Sequence, residues 1–255
     1  MSRDQPWRKV EARVVHRPPP EKVGSELMFE GRRLVGEDFS HQRIYSFTSV
    51  GSRFESCDFS GVVIEHPGLG AGLKQSFYVD CVFDGSRLEM IYGGGNVRFE
   101  RCSFREVKFR DWYCKRVEMV DCTFTGTIDT AVFYGTVPKD DVRYAKRKKN
   151  EFRGNDFSGA TLIGVDFRTG IDLTLQKLPI REDYVYIEDL AAAVQRARPL
   201  LEALPASEQR RHALGFLELY EDDARGGQRQ VFTTLVGYKG RDRETYRIVH
   251  EAMGL

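Results

Sequence analysis

Four of the five cysteines recur at a spacing that invites interpretation as a metal site. Cys57, Cys81, Cys102 and Cys122 form the series, and Cys114 lies outside it. Structural zinc sites usually take their thiolates from closely spaced CxxC pairs, and the sequence has none. Each of the four cysteines instead lies two positions before a phenylalanine. The series therefore predicts small, buried side chains in a core rather than a metal site or a disulfide framework.

A glycine-rich segment at residues 68–74 is superficially similar to a phosphate-binding loop. It lacks the Gly-Lys-Ser/Thr ending, and no strand-to-helix transition surrounds it. The sequence predicts an inserted loop near residues 66–72, and loops on rigid scaffolds often carry partner contacts. His66, Leu69 and Lys74 are therefore candidate contact residues.

The basic segment 136–150 is a second candidate contact region. It carries six basic side chains against two acidic ones. Such residues can contact phosphates, but charge runs are more often solvated surface, so nucleic acid is not the favoured partner. Lys146, Arg147 and Lys148 are the candidate contact residues of this insertion.

The remaining reactive residue types form no recognisable constellation. The five histidines are scattered without HxH or HExxH spacing, and no Ser-His-Asp set or carboxylate pair can be assembled from sequence positions. The sequence therefore indicates no catalytic residue, metal ligand or cofactor.

The elements that must position these residues are five-residue repeats. Residues 155–159, 160–164 and 165–169 each run from a small or apolar residue through a polar one to a large apolar one. This period fits neither a helix nor a flat strand. Four blocks make a longer period of about 20 residues, which repeats from residue 34 to residue 167. It predicts three interior columns: Phe39, Phe59, Phe83, Phe104 and Phe124; Leu34, Phe54, Tyr78, Phe99 and Met119; and Ile44, Ile64, Leu88 and Phe109.

These blocks resemble the pentapeptide-repeat family, whose pattern is Ala-(Asp/Asn)-Leu-x-x. The resemblance covers about half of the chain, is closest at residues 155–164, and departs from the pattern on a fourth face at Ser49, at Gly93 or Gly94, and at Cys114. It implies a mainly β fold, a right-handed four-sided parallel β-helix of about six coils. One coil cannot bury its apolar residues alone, but stacked coils share a core. We expect this solenoid over residues 27–175, with an arm or cap at 1–26.

Residues 176–255 have a different pattern that predicts a small α-helical domain. Helices are expected over 187–204, with a bend near Pro199, over 207–224, with Ser207 as the N-cap, and over 242–253. Such a domain would cap the open end of the solenoid or form a homodimer through its helices. Sequence alone does not separate the two.

Composition excludes several classes of protein. The net charge is +1, and residues 27–175 hold 21 basic and 21 acidic side chains, so no overall field attracts nucleic acid or membrane. No apolar run is long enough to span a bilayer, and residues 1–20 lack the apolar core of a signal peptide. The odd number of cysteines favours a reducing, cytoplasmic location.

The favoured function is non-enzymatic binding of a macromolecular partner, most simply a protein. The resemblance implies an alternative, because some bacterial members of the family bind DNA gyrase or topoisomerase IV and protect it from poisons. Those protectors present a strongly negative surface, whereas this solenoid is neutral, with only a stripe of Glu37, Asp38, Glu55 and Asp58 to serve that role. Immunity to a toxin and an enzyme at the junction of solenoid and helices are the remaining alternatives.

Overall fold

The computed structural model describes residues 24–88, 95–107, 109–234 and 240–255, without the side chains of 109–111 and 241. The predicted arm at 1–26 lies almost wholly outside these residues. The strands are β1 (Ser25–Glu30), β2 (Arg33–Val35), β3 (Arg43–Val50), β4 (Arg53–Glu55), β5 (Val63–Gly68), β6 (Ser76–Val79), β7 (Arg87–Leu88), β8 (Val97–Glu100), β9 (Ser103–Phe104), β10 (Phe109–Cys114), β11 (Val117–Val120), β12 (Thr123–Tyr134), β13 (Phe152–Arg153), β14 (Asp156–Arg168), β15 (Tyr184–Ile187) and β16 (Val231–Thr234). The helices are α1 (Val142–Ala145), α2 (Leu190–Glu202), α3 (Glu208–Arg225) and α4 (Gly240–Met253).

The first fourteen strands form a parallel β-solenoid, which confirms the predicted fold class. One face is a six-stranded sheet in the order β13-β11-β8-β6-β4-β2. Two further parallel sheets, β1-β3-β5-β7 and β10-β12-β14, cover other faces. Register follows the repeat: Leu34 pairs with Phe54, Phe54 with Tyr78, and Tyr78 with Phe99. The chain therefore climbs by one strand spacing in each coil.

A stack of phenylalanine rings runs along the interior. Successive rings of the predicted first column are 4.8 to 5.1 Å apart and within 11° of parallel. Phe157 extends the stack at 4.5 Å from Phe124. All of these rings are buried, and they contact the neighbouring column edge to face, as Phe59 does with Tyr78. Each coil thus contributes one ring to a shared core.

The fourth face has polar and glycine residues for identifiable reasons. The Ser49 hydroxyl lies 3.0 Å from the hydroxyl of Tyr78 and donates to the carbonyl of Leu69 at 2.8 Å. Serine here gives a partner to a fully buried phenol, and burial raises the pKa of Tyr78 well above its ordinary value. Gly70 and Gly95 lie where backbones meet, since a Cβ on Gly95 would sit 2.3 Å from the Gly70 carbonyl oxygen.

The segment 66–72 differs from the expected loop. Residues 66–68 complete β5 and pair with β3, and Leu69 is 1% exposed within the solenoid core. The prediction of Leu69 as a contact residue is therefore wrong. Its side chain fills the fourth face, while the glycines around it allow close packing rather than protrusion.

The last coil is covered by an antiparallel pair, β15 and β16, that sequence reasoning missed. Tyr184 and Phe232 pack against each other and against the solenoid core. Gln228 accepts hydrogen bonds from the backbone N–H groups of Gly170 and Ile171 at 3.0 and 3.1 Å. Its amide also donates to the carbonyl of Ile171 at 2.9 Å. Side chains thus satisfy peptide groups that would otherwise end the solenoid unpaired.

Helices α2, α3 and α4 pack on one another around a second core. The predicted helix 187–204 is shorter than expected because Ile187 belongs to β15, and α2 continues through Pro199 to Glu202. Ser207 caps α3 as predicted, by accepting from the N–H of Arg210 at 3.1 Å. No helix in the described ranges is long and apolar enough to cross a bilayer.

Candidate interaction surface

Three of the sequence-predicted contact residues meet at one corner of the solenoid. Lys74, Lys146 and Lys148 are exposed. They lie on residues 71–75 and on the insertion 136–150, which are far apart in sequence but adjacent in space. We call these two segments, together with the side chains of Lys115 and Arg116, the two-loop corner. His66 is exposed on β5, away from either segment, where its ring packs against Tyr45 at 4.9 Å.

Asn96 joins the two segments. Its amide nitrogen donates to the carbonyl of Leu73 at 3.1 Å and to the carbonyl of Tyr144 at 3.4 Å. Its amide oxygen accepts from Nη1 of Arg147 at 2.6 Å. Asn96 is 1% exposed, so each of these bonds is shielded from water. The two segments are thereby held in one arrangement.

Arg147 is a structural residue, which contradicts its assignment as a partner contact. Its guanidinium also donates to the carbonyl of Arg116 at 2.6 Å and to the side chain of Asn150 at 3.1 Å. Nε lies 3.5 Å from Oε1 of Glu118. Burial lowers the pKa of Arg147 from its ordinary value, as expected for a cation drawn out of water. A side chain with this many bonds to its own chain has little left to offer a partner.

Glu118 anchors the base of the corner. This carboxylate is 8% exposed and accepts from the amide of Gln75 at 2.7 Å and from the backbone N–H of Glu151 at 3.0 Å. Arg98 lies 3.7 Å away. The negative charge of Glu118 is therefore paired beneath the surface and is not exposed on it.

The insertion itself is ordered by local interactions. A 3₁₀ turn at Lys139–Asp141 leads into α1, and Lys146 adopts a left-handed conformation with φ of 55° that ends the helix. The guanidiniums of Arg143 and Arg116 lie 4.5 and 5.9 Å from the centre of the Tyr144 ring, and both distances suit cation–π attraction.

Cations on the six-stranded face are paired with carboxylates, many of them in neighbouring coils. The ion pairs include Arg33 with Glu55, Arg101 with Asp80, and Arg98 with Glu151, at 2.6 to 2.7 Å. Hydrogen bonds from Arg53 and Arg33 lower the pKa of Glu55 despite an opposing desolvation effect. This face therefore presents balanced charge.

The acidic stripe considered from sequence is short. Glu55 lies within these ion pairs, and Asp38 stacks on Asp58, but the next residue of that column is Val82. Two stacked carboxylates do not extend into the long negative surface that a duplex mimic requires.

The corner differs from this face in its charge. Its exposed cations have no carboxylate within 4 Å among the described residues. They are Lys74, Lys115, Lys139, Arg143, Lys146, Lys148 and Lys149. Arg116 has Asp141 at 3.9 Å. The corner therefore carries an uncompensated positive charge, although residues 27–175 as a whole hold equal numbers of basic and acidic side chains.

The cysteine series lies in the core as a column of thiols. Sγ of Cys57, Cys81 and Cys102 lies 3.3 to 3.8 Å from carbonyl oxygens of the preceding coil. Burial raises the pKa of Cys102, which keeps this thiol protonated. Cys122 and Cys114 are also buried, and no cluster of metal-binding side chains occurs in the described part of the chain. Amides continue the column, with Asn155 and then Gln176 donating to carbonyls one coil below.

The junction between solenoid and helices contains ion-paired carboxylates. Arg168 bonds Asp166 at 2.8 Å and lies 3.7 Å from Asp223. Desolvation raises the pKa of Asp223, partly offset by Arg168. This group is the nearest approach to the charged cleft that the enzyme alternative requires, and each of its carboxylates already has a cationic partner.

An apolar groove of about 460 Å³ lies among α2, α3 and α4. Leu204 and Ile248 line it, and Leu200, which is 57% exposed, forms part of its wall. It is the part of the helical region best suited to the predicted homodimer, which stays a prediction.

Comparison with known proteins gives a fold neighbour and little more. No family model matches the chain, and no curated protein matches it. Solved structures of QnrB1, a plasmid-mediated fluoroquinolone resistance protein, are similar. A trypsin-treated form is 18% identical over 59% of this chain and 78% of that one, with a TM-score of 0.19. The full-length form is 17% identical over 60% and 82%, with a TM-score of 0.17. At these values the likeness carries no argument about function.

Proposed function

We propose that this chain is a non-enzymatic binding protein of the pentapeptide-repeat type, which presents the two-loop corner to a protein partner in a reducing cytoplasm. The observation that carries the proposal is the contrast in charge pairing. Cations of the six-stranded face are neutralised by carboxylates, whereas seven exposed cations at the corner are not. Unpaired charge on a rigid support is suited to recognising a partner of opposite charge.

The rigidity of the corner supports the same proposal. Asn96 and Arg147 hold both segments through bonds of 2.6 to 3.4 Å, so little conformational freedom remains to be lost on binding. Preorganisation of this kind favours affinity because ordering costs have been met during folding.

Site-specific photo-crosslinking tests the proposal. A benzophenone amino acid would replace Leu73, which is 52% exposed at the corner, and in a second protein Leu219, which is 54% exposed on α3. We expect one protein from bacterial lysate to be cross-linked through position 73 and not through position 219. Equal labelling from both positions, or none from position 73, would contradict the proposal. The identity of the captured protein separates a topoisomerase from a toxin.

Protection of a type II topoisomerase is a second candidate, motivated by the solenoid fold and the family resemblance. The charge pairing of Glu55 and the short Asp38–Asp58 stack weigh against a mimic of DNA. A supercoiling assay with purified gyrase and a fluoroquinolone would test it. Unchanged drug inhibition in the presence of the protein would exclude this candidate without affecting the first.

A further inference from the structure

We propose that the two-loop corner recognises an acidic protein segment that carries a large apolar side chain beside its carboxylates. This inference rests on the proposed function and adds the chemistry of the partner. It draws on three features: the uncompensated cations of the corner, an exposed apolar side chain at the corner with a second one close to Lys115 in sequence, and a number of carboxylates at the described surface of the corner that is too small to neutralise its cations.

The cations set the sign of the partner. Lys146 and Lys148 flank Arg147, and Lys115 is brought beside the insertion because its carbonyl accepts from Asn150 at 3.1 Å. Lys74 follows Leu73, which is bonded to the same Asn96 that holds Tyr144. The backbone segments that carry these cations are therefore joined through Asn96 and Asn150, so a compact anionic segment can contact several of the cations together.

The acidic residues of the corner leave most of this charge exposed. Glu118 is buried and already accepts from Gln75 and Glu151. Asp141 is half-buried beside Arg116, and Asp140 is exposed at the start of the insertion. Two carboxylates at one edge do not neutralise the seven exposed cations.

Two exposed apolar side chains distinguish a protein from a nucleic acid as the partner. Leu73, at the corner, is 52% exposed, and Tyr113, two residues before Lys115, is 40% exposed. Phosphates are recognised by charge and hydrogen bonds, so a leucine side chain does not contribute to their recognition. Protein interfaces, in contrast, are enriched in aromatic residues and are stabilised by apolar anchors surrounded by polar groups.

The charge of the whole molecule favours the same choice. A net charge of +1 gives no long-range attraction to a polyanion, whereas duplex-binding domains are usually strongly basic. A local basic patch on a neutral protein suits a partner whose negative charge is equally local.

Binding of labelled probes to the full-length protein tests this inference. Fluorescence anisotropy would compare a 16-residue peptide that alternates glutamate with leucine, a 16-residue glutamate peptide, and a 16-base-pair duplex DNA. We expect the mixed peptide to bind most tightly and the duplex most weakly. Raising the salt concentration should weaken both peptides, because exposed charge pairs are screened.

Two variants and a charge-matched control separate the contributions. The corner variant carries Lys74→Gln, Arg143→Gln, Lys146→Gln and Lys148→Gln. The control carries Lys177→Gln, Arg211→Gln, Arg225→Gln and Arg243→Gln, at exposed positions elsewhere. At about twofold to threefold per exposed ion pair, the corner variant should bind the peptides about 30-fold more weakly, and the control should stay within about twofold. Leu73→Ser should weaken the mixed peptide about fivefold and leave the glutamate peptide unchanged.

Several results would overturn the inference. Duplex DNA binding more tightly than both peptides, with loss in the corner variant, would assign the surface to nucleic acid. Equal losses of peptide affinity in the corner variant and the control would show that binding depends on net charge and not on the corner. Absence of peptide binding together with a specific cross-link at position 73 would refute the acidic character of the partner and leave the proposed function standing. Absence of both would refute the proposed function as well.

Discussion

His250 is the titratable group whose burial should make the helical region sensitive to acid. It is 4% exposed, its Nε2 lies 3.0 Å from the hydroxyl of Tyr220, and its Nδ1 has no hydrogen-bond partner in the described part of the chain. The Tyr246 ring packs edge to face against the His250 ring, with 4.7 Å between the ring centroids. Burial lowers the pKa of His250 from 6.5 to about 4, because the charged imidazolium would lose its hydration.

The sign and size of the effect follow from this lowered pKa. The unfolded chain takes up a proton near pH 6.5 and the folded chain only near pH 4, so the contribution of neutral His250 is complete above pH 6.5 and is lost as pH falls toward 4. A difference of about 2.5 pKa units corresponds to about 3.4 kcal/mol in the free energy of unfolding. Between pH 7 and pH 5 alone, about 2 kcal/mol should be lost.

Urea unfolding followed by helical circular dichroism at pH 7, 6 and 5 measures this loss. His250→Gln removes the titration, so its stability should fall less than that of the wild type over this range, by about 2 kcal/mol. His212→Gln is the matched control, because His212 on α3 is only half-buried, with 38% of its side chain exposed. If His250→Gln and the wild type lose stability in parallel, the assigned origin of the acid sensitivity is wrong.

Three further predictions concern the solenoid. Ser49→Ala should cost about 1–3 kcal/mol in urea unfolding, because it leaves the buried hydroxyl of Tyr78 without its partner; a double variant with Tyr78→Phe that is no more stable would contradict this explanation. Arg147→Met should cost about 3 kcal/mol and speed trypsin cleavage within 136–150, since Asn96 and the carbonyl of Arg116 lose a donor; unchanged cleavage would show that the insertion is held by other contacts. Phe83→Ala should cost about 3–5 kcal/mol by opening a cavity within the ring stack, and a loss below about 1 kcal/mol would mean that the stack tolerates a gap.

The interior of the solenoid was predictable because its period is set by residue type. In a stacked coil, the large apolar residue at every fifth position points inward. Spacing alone therefore predicts that Phe59 lies above Phe39 and that Tyr78 lies above Phe54. The cap on α3 was equally local, because Ser207 and the N–H that it accepts from are three residues apart.

The errors arose where contacts join residues far apart in sequence. Leu69 lies among glycines, which usually indicate a loop, but a side chain on Gly70 would meet the backbone of Asn96 at 2.7 Å. Arg147 lies within a basic run and reads as surface, yet its partner Asn96 is 51 residues away. Nothing in the local pattern singles out Asn96 as the joint between two segments.

The strands β15 and β16 were missed for the same reason. Each has four residues, and the two strands are separated in sequence by the segment that contains α2 and α3. Short strands carry too few alternations to be recognised without their partner.

The glutamines at the end of the solenoid bear on how this protein avoids polymerising. A parallel solenoid that stops abruptly offers its last peptide groups as a template, and a second molecule can add to it as the next coil would. Gln228 and Gln230 occupy those groups with side-chain amides, which satisfy the backbone at Gly170, Ile171 and Leu173 without offering a continuous strand in return. Side-chain amides therefore close this last coil against the addition of another strand. Loss of these two amides would turn a terminus into a growth point, with fibres rather than unfolded monomers as the consequence.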